Sequence, residues 1–265
     1  MPIEEHEGLS IFVQDFGDGE RTVLGIHGTL GHSGNFKRLA AELDGKARVI
    51  AFDLPGHGQS QDWDGGVDFC LLSLQVANSI LGVEPMDLVG HSYGALVALS
   101  LAMHRPDAVR SLTLVEPILY SALEGSELWE KHQARIAPMM AAVDAGDQDT
   151  AVNTFMRHWG GTGYWENLPE ERRLAVYKNM RFIKACDNFC HTDVLLQEGG
   201  LESLAMPVIV VYGTETLAEM PVICENIAAR MPDVGVATVD GAEHNVLMTH
   251  PAQVAGLLEV NFSRS

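Results

Sequence analysis

The chain has 265 residues and a formal net charge of −19, from 17 basic against 36 acidic side chains, and 46% of it is apolar. That length suits one α/β domain with an insertion, or two small domains, with ample chain to bury a core. So acidic a surface repels phosphate backbones and anionic lipid, which argues against nucleic-acid and membrane partners and leaves a small-molecule substrate.

Residues 1–7 are acidic and hold no apolar run, so no secretion signal is expected and the expected location is cytoplasmic. Residues 10–16 alternate at period two, and Gly17, Asp18, Gly19 and Glu20 follow, which is a hairpin signature. Further strands are predicted over 22–26, 47–52, 87–89, 111–115, 207–212 and 235–239. The middle ones are almost continuously apolar, as strands covered on both faces require. Helical patterns over 35–43, 69–81, 93–104, 222–231 and 252–260 separate them, which implies a mostly parallel sheet with right-handed crossovers.

Between 120 and 204 the strand pattern stops. Helices are predicted there over 127–143, 150–159 and 170–189, the last opened by Pro169 at a first-turn position. The chain therefore divides into a core, 1–119 with 205–265, and an inserted helical cap, 120–204, placed over the carboxyl ends of the strands. Aromatic and methionine side chains such as Met139, Phe155, Met156 and Trp159 are expected to pack inside that cap. Those that face the site would make its pocket apolar. Gly160, Gly161, Thr162 and Gly163 read as a hinge or mouth. Cys70, Cys186, Cys190 and Cys224 are expected as buried free thiols. Cys186, Cys190 and His191 lack a second pair to complete a zinc set, so no metal is expected.

Chemistry concentrates at Gly90, His91, Ser92, Tyr93 and Gly94, which stand between a predicted strand and a predicted helix. Gly-x-Ser-x-Gly in that setting is a nucleophile elbow, a turn that lifts the serine hydroxyl clear of the sheet. A serine hydroxyl needs a base, and the base needs an orienting carboxylate. His244 follows the last predicted strand, late in the chain, where the base belongs. His27, His57 and His91 also lie at strand ends but are accounted for by loop motifs. Two glutamates compete as the acid: Glu116, at the tip of the strand after the serine, and Glu215, in the loop after the next strand. The rigid strand end favours Glu116, with Glu215 as the alternative. The oxyanion hole is expected from the N–H of Tyr93 and an N–H in the loop His27, Gly28, Thr29, Leu30, Gly31, with Thr29 preferred and Leu30 the alternative.

Taken in order, His27-Gly28, the run Asp53-Leu54-Pro55-Gly56-His57-Gly58, the serine pentapeptide and Gly241-Ala242-Glu243-His244 resemble the α/β-hydrolase fold superfamily. The resemblance covers nearly all of the chain outside the cap. It implies an eight-stranded, mostly parallel sheet with helices on both faces, a Ser–His–acid triad and no cofactor, and it makes the Asp53 loop architectural. The chain departs from the family in having no aspartate after the seventh strand. Some branches carry the acid after the sixth, where Glu116 falls. Relatives with an aspartate nucleophile, the haloalkane dehalogenases and epoxide hydrolases, are disfavoured by Ser92. The expected activity is hydrolysis of a small to medium uncharged carboxylic ester by a monomer or homodimer. Lactonase, thioesterase, carbon–carbon hydrolase, acyltransferase, cofactor-free lyase or peroxidase activity are alternatives on the same triad. A small-molecule receptor without turnover is the non-enzymatic one.

Overall fold

Alternating burial along the strands builds a sheet with two apolar faces. The computed structural model describes residues 3–161 and 163–265, so Met1, Pro2 and Thr162 of the hinge reading lie outside the described residues. Eight strands, β1 Ile3–His6, β2 Leu9–Phe16, β3 Arg21–Ile26, β4 Ala47–Phe52, β5 Met86–His91, β6 Val109–Val115, β7 Val208–Gly213 and β8 Val234–Val239, form one sheet in the order β1-β2-β4-β3-β5-β6-β7-β8. β1 with β2 and β2 with β4 are antiparallel, and the pairs from β4 through β8 are parallel. Neighbours along a strand sort to opposite faces: Val23, Val49 and Val115 join one core, while Leu24, Phe52 and Leu114 join the other.

The helices are α1 Lys37–Glu42, α2 Phe69–Leu81, α3 Tyr93–His104, α4 Glu127–Ala145, α5 Gln148–Trp159, α6 Tyr164–Asn167, α7 Glu170–His191, α8 Glu219–Ala228, α9 Val246–Thr249 and α10 Pro251–Phe262. α1, α9 and α10 cover one face of the sheet and α2, α3 and α8 the other. α4 to α7 lie between β6 and β7 in sequence and carry an apolar cluster of their own. This is the expected fold class; the three helices expected between β6 and β7 correspond to α4, α5 and α7, and α6 is additional. Among the described residues no helix is long and apolar enough to cross a membrane.

Three local readings change. β1 is absent from the predicted strands because Ile3–His6 is polar and mostly exposed, and its strand form comes from pairing with β2. The hairpin partner of β2 is therefore β1, not β3. β3 is flanked by β4 and β5, so 17–20 carries the chain past the start of β4 instead of turning it back on itself. Pro169 stands one step earlier than expected, at the N-cap of α7.

Phe182 of α7 reaches into the core, with its ring 4.4 Å from His57 and 4.8 Å from Phe69 between centroids. His57 is fully buried, donates Nδ1–H to the Pro55 carbonyl at 3.1 Å, and has no partner for Nε2 among the described residues. Burial pushes its pKa down from 6.5 to about 3. The unfolded chain binds this proton at a higher pH than the folded one. The stabilisation is thus complete above the unfolded value and is lost as pH falls toward the folded value. Melting temperature is expected to fall less steeply over that acid range in His57→Phe than in the wild type. Equal slopes would assign the acid sensitivity elsewhere.

Candidate active site

β5 ends at His91 and the chain turns at Ser92 directly into α3. Ser92 holds φ 56° and ψ −121°, a left-handed backbone that costs a non-glycine residue about 1–3 kcal/mol. The flanking glycines let the backbone close up. A Cβ on Gly90 would stand 2.3 Å from the Gly94 carbonyl oxygen, and one on Gly94 would stand 2.1 Å from that of Ile26. Among the described residues four non-glycines have positive φ: Glu7, Leu30, Ser92 and Glu116. The last three meet at this site.

Glu116 follows β6, fully buried. Its Oε1 accepts the Gly213 N–H at 2.7 Å, and its Oε2 accepts the Thr216 hydroxyl at 2.6 Å. The same Oε2 is 2.9 Å from His244 Nδ1, and His244 Nε2 is 3.1 Å from Ser92 Oγ. A carboxylate only accepts, so Nδ1 carries the ring hydrogen and Nε2 turns its lone pair to the serine O–H. Three hydrogen bonds offset the cost of burying this carboxylate.

The structure thus brings Ser92, His244 and Glu116 together. Glu215 is exposed in the loop after β7, and Glu116 is the carboxylate that meets the ring. Thr29 and Leu30 both line the cavity beside Ser92. Tyr93 is the first residue of α3, where an N–H has no acceptor inside the helix. Its side chain turns into the core and stacks on Phe69 at 5.6 Å. Gly28 lies so close to the serine that a Cβ there would stand 2.9 Å from Ser92 Cβ.

The other strand-end histidines hold loops. His27 Nε2 accepts the Leu54 N–H at 2.9 Å, and Nδ1 donates to the Gly28 carbonyl at 2.7 Å, which joins the Thr29 loop to the Asp53 loop. Asp53 in turn accepts the N–H groups of Ser33 at 2.6 Å and Gln59 at 2.8 Å. His91 Nε2 donates to the His244 carbonyl at 2.9 Å and so fixes the backbone that carries the base. Burial lowers the pKa of His27 to about 4 and that of His91 to about 3, which keeps both neutral.

Sequence reasoning missed Thr216, which orients Glu116, and Asn245, whose side-chain amide donates to the Gly160 carbonyl of the helical block at 2.9 Å. Thr216, standing in a loop after β7 that holds no aspartate, is the signal the sequence carries. The site opens on a cavity of about 110 Å³ lined by Ile136, Met139, Phe155, Met156 and Trp159 among others. The four cysteines are buried and unpaired, and among the described residues no three His, Cys, Asp or Glu converge as a metal set.

A model of the alpha/beta hydrolase family matches residues 23–257. Lipase LipV of Mycobacterium tuberculosis is 37% identical over 133 residues, 49% of this chain and 49% of that protein. A pimeloyl-[acyl-carrier protein] methyl ester esterase of Methylococcus capsulatus is 29% identical over 269 residues, 94% of this chain and 97% of that one. The chain thus spans about half the length of the first relative and nearly all of the second. Among solved structures, a membrane phospholipase A superposes with a TM-score of 0.77 at 19% identity, over 98% of this chain and 84% of that one.

Proposed function

We propose that this chain, which belongs to the alpha/beta hydrolase family, is a serine hydrolase that cleaves a small to medium, uncharged carboxylic ester through an acyl-enzyme. Ser92 Oγ attacks the carbonyl while His244 Nε2 takes its proton, and Glu116 holds the ring and stabilises its charged form. The N–H groups of Thr29 and Tyr93 receive the oxyanion. The leaving alcohol takes the proton from His244, and a water activated by His244 then releases the acid. Residues 120–204 act as a cap on the core 1–119 and 205–265. The observation that carries this reading is the unbroken hydrogen-bonded chain from Glu116 through His244 to Ser92, at 2.9 and 3.1 Å, in the wall of an apolar cavity.

Two relatives bear the names lipase and methyl ester esterase, which supports an ester over the other bonds this triad can cleave. The net charge of −19 supports a neutral substrate. A fluorophosphonate probe is expected to label the protein, with the adduct on the Ser92 peptide. Beside it, p-nitrophenyl esters of increasing acyl length and a set of lactones are expected to show ester hydrolysis as the faster reaction. An unlabelled protein, or lactones turned over far faster than every ester, would defeat the proposal.

A further inference from the structure

One stretch of the cavity wall, made by Tyr120, His132, Asp187 and His191, is polar. His132 of α4 and His191 at the end of α7 meet Nε2 to Nε2 at 2.9 Å. His191 Nδ1 lies 2.8 Å from the Asp187 carbonyl oxygen and 3.1 Å from Asp187 Oδ1. Both are acceptors, so Nδ1 holds the hydrogen. Where His191 Nε2 is the acceptor of this contact, His132 Nε2 is its donor. That leaves His132 with a bare lone pair at Nδ1. The ring is fully buried and stacked on Tyr120 with centroids 3.7 Å apart, and Nδ1 has no partner among the described residues. Tyr120 Oη accepts the Trp159 Nε1–H at 3.2 Å, so its own hydrogen is still available to donate.

A buried acceptor without a donor is a standing cost that a phenylalanine at the same place would not incur. Here the orphaned acceptor and the phenol hydrogen belong to two stacked rings whose residues both line the cavity that opens on Ser92. Together they match a hydroxyl, which gives one hydrogen bond and takes another. Building on the reading of Ser92 as the nucleophile, we propose that Tyr120 and His132 bind an uncharged hydroxyl on the acyl half of the ester, so that hydroxyacyl esters are preferred over plain alkanoyl ones. A carboxylate in that place would meet a lone pair with the Asp187 carboxylate behind it. Burial lowers the pKa of His132 to about 3, so the ring gives no positive charge to hold an anion. The modest cavity, about 110 Å³, suits a short acyl chain.

The test uses the full chain and compares kcat/KM for methyl hexanoate, its beta-hydroxy and terminally hydroxylated counterparts, and monomethyl adipate. One of the hydroxy esters is expected to exceed both hexanoate and adipate by at least about tenfold in the wild type. In His132→Phe that ratio is expected to fall to about one. A ratio taken within one preparation cancels the fraction of active enzyme, so partial misfolding does not disturb it. Tyr120→Phe provides a second variant, in which the ratio drops through loss of the donor. A wild type without hydroxyl preference overturns the proposal, and a preference that survives in His132→Phe removes it from His132. If no ester, p-nitrophenyl acetate included, is hydrolysed in a Ser92-dependent way, the reading of the site as an esterase falls first and takes this one with it.

Discussion

Ser92→Ala is expected to lower kcat for ester hydrolysis by about 10⁶-fold, as loss of the serine does in other hydrolases of this mechanism. The substitution removes only the attacking oxygen. Alanine keeps the Cβ, so the left-handed backbone at φ 56° and the packing of Gly28 against that Cβ are unchanged. The His244–Glu116 hydrogen bond at 2.9 Å does not pass through the serine and should persist. Substrate affinity, and hence KM where chemistry is slow, should change little. A residual rate above that in water is expected on the proposed role of the Thr29 and Tyr93 N–H groups as oxyanion donors. Steady-state kinetics on a p-nitrophenyl ester decides the matter, and a variant within tenfold of wild type would end the serine mechanism.

Glu116→Gln should cost about 10⁴-fold in kcat, through the wrong histidine tautomer. Oε1 accepts from the Gly213 N–H, so an amide at this position keeps its oxygen there and turns its NH₂ toward His244 and Thr216. A donor now faces Nδ1, and the ring must present its lone pair to it. The ring hydrogen then moves to Nε2, which can no longer take the proton of Ser92. Glu215→Gln should leave kcat within several-fold, since Glu215 is exposed in the loop beyond β7. The reverse ranking of the two variants would transfer the role of acid to Glu215.

The choice between these glutamates marks how far the sequence could be read. Ser92, His244 and the Thr29 loop were legible because each sits in a local motif whose spacing follows from a turn or a strand end. Glu116 directly follows β6 and Glu215 lies in the loop beyond β7, which favours the first by position without deciding between them. What ranks them is lateral: β6 lies beside β7 in the sheet, so the backbone of Gly213 and the hydroxyl of Thr216 close on the Glu116 carboxylate. Sheet order is a long-range property that no window of residues carries. β1 was invisible for a related reason, since Ile3–His6 is a strand through its partner and has no apolar face of its own. The His132–His191 pair spans α4 and α7, 59 residues apart in sequence, and so left no trace in any motif.

Ser92 and Glu116 hold their positions at φ 56° and 52°, against the grain of an L-residue. Glycine at Ser92 would relax the chain while deleting the hydroxyl. Glycine at Glu116 would relax the chain too, but would strand the Gly213 N–H, the Thr216 hydroxyl and His244 Nδ1 without their acceptor. Thermal robustness and reactivity therefore pull in opposite directions at the serine alone. A library sorted for heat resistance would drift toward glycine there, with the sheet intact and the acid still in place.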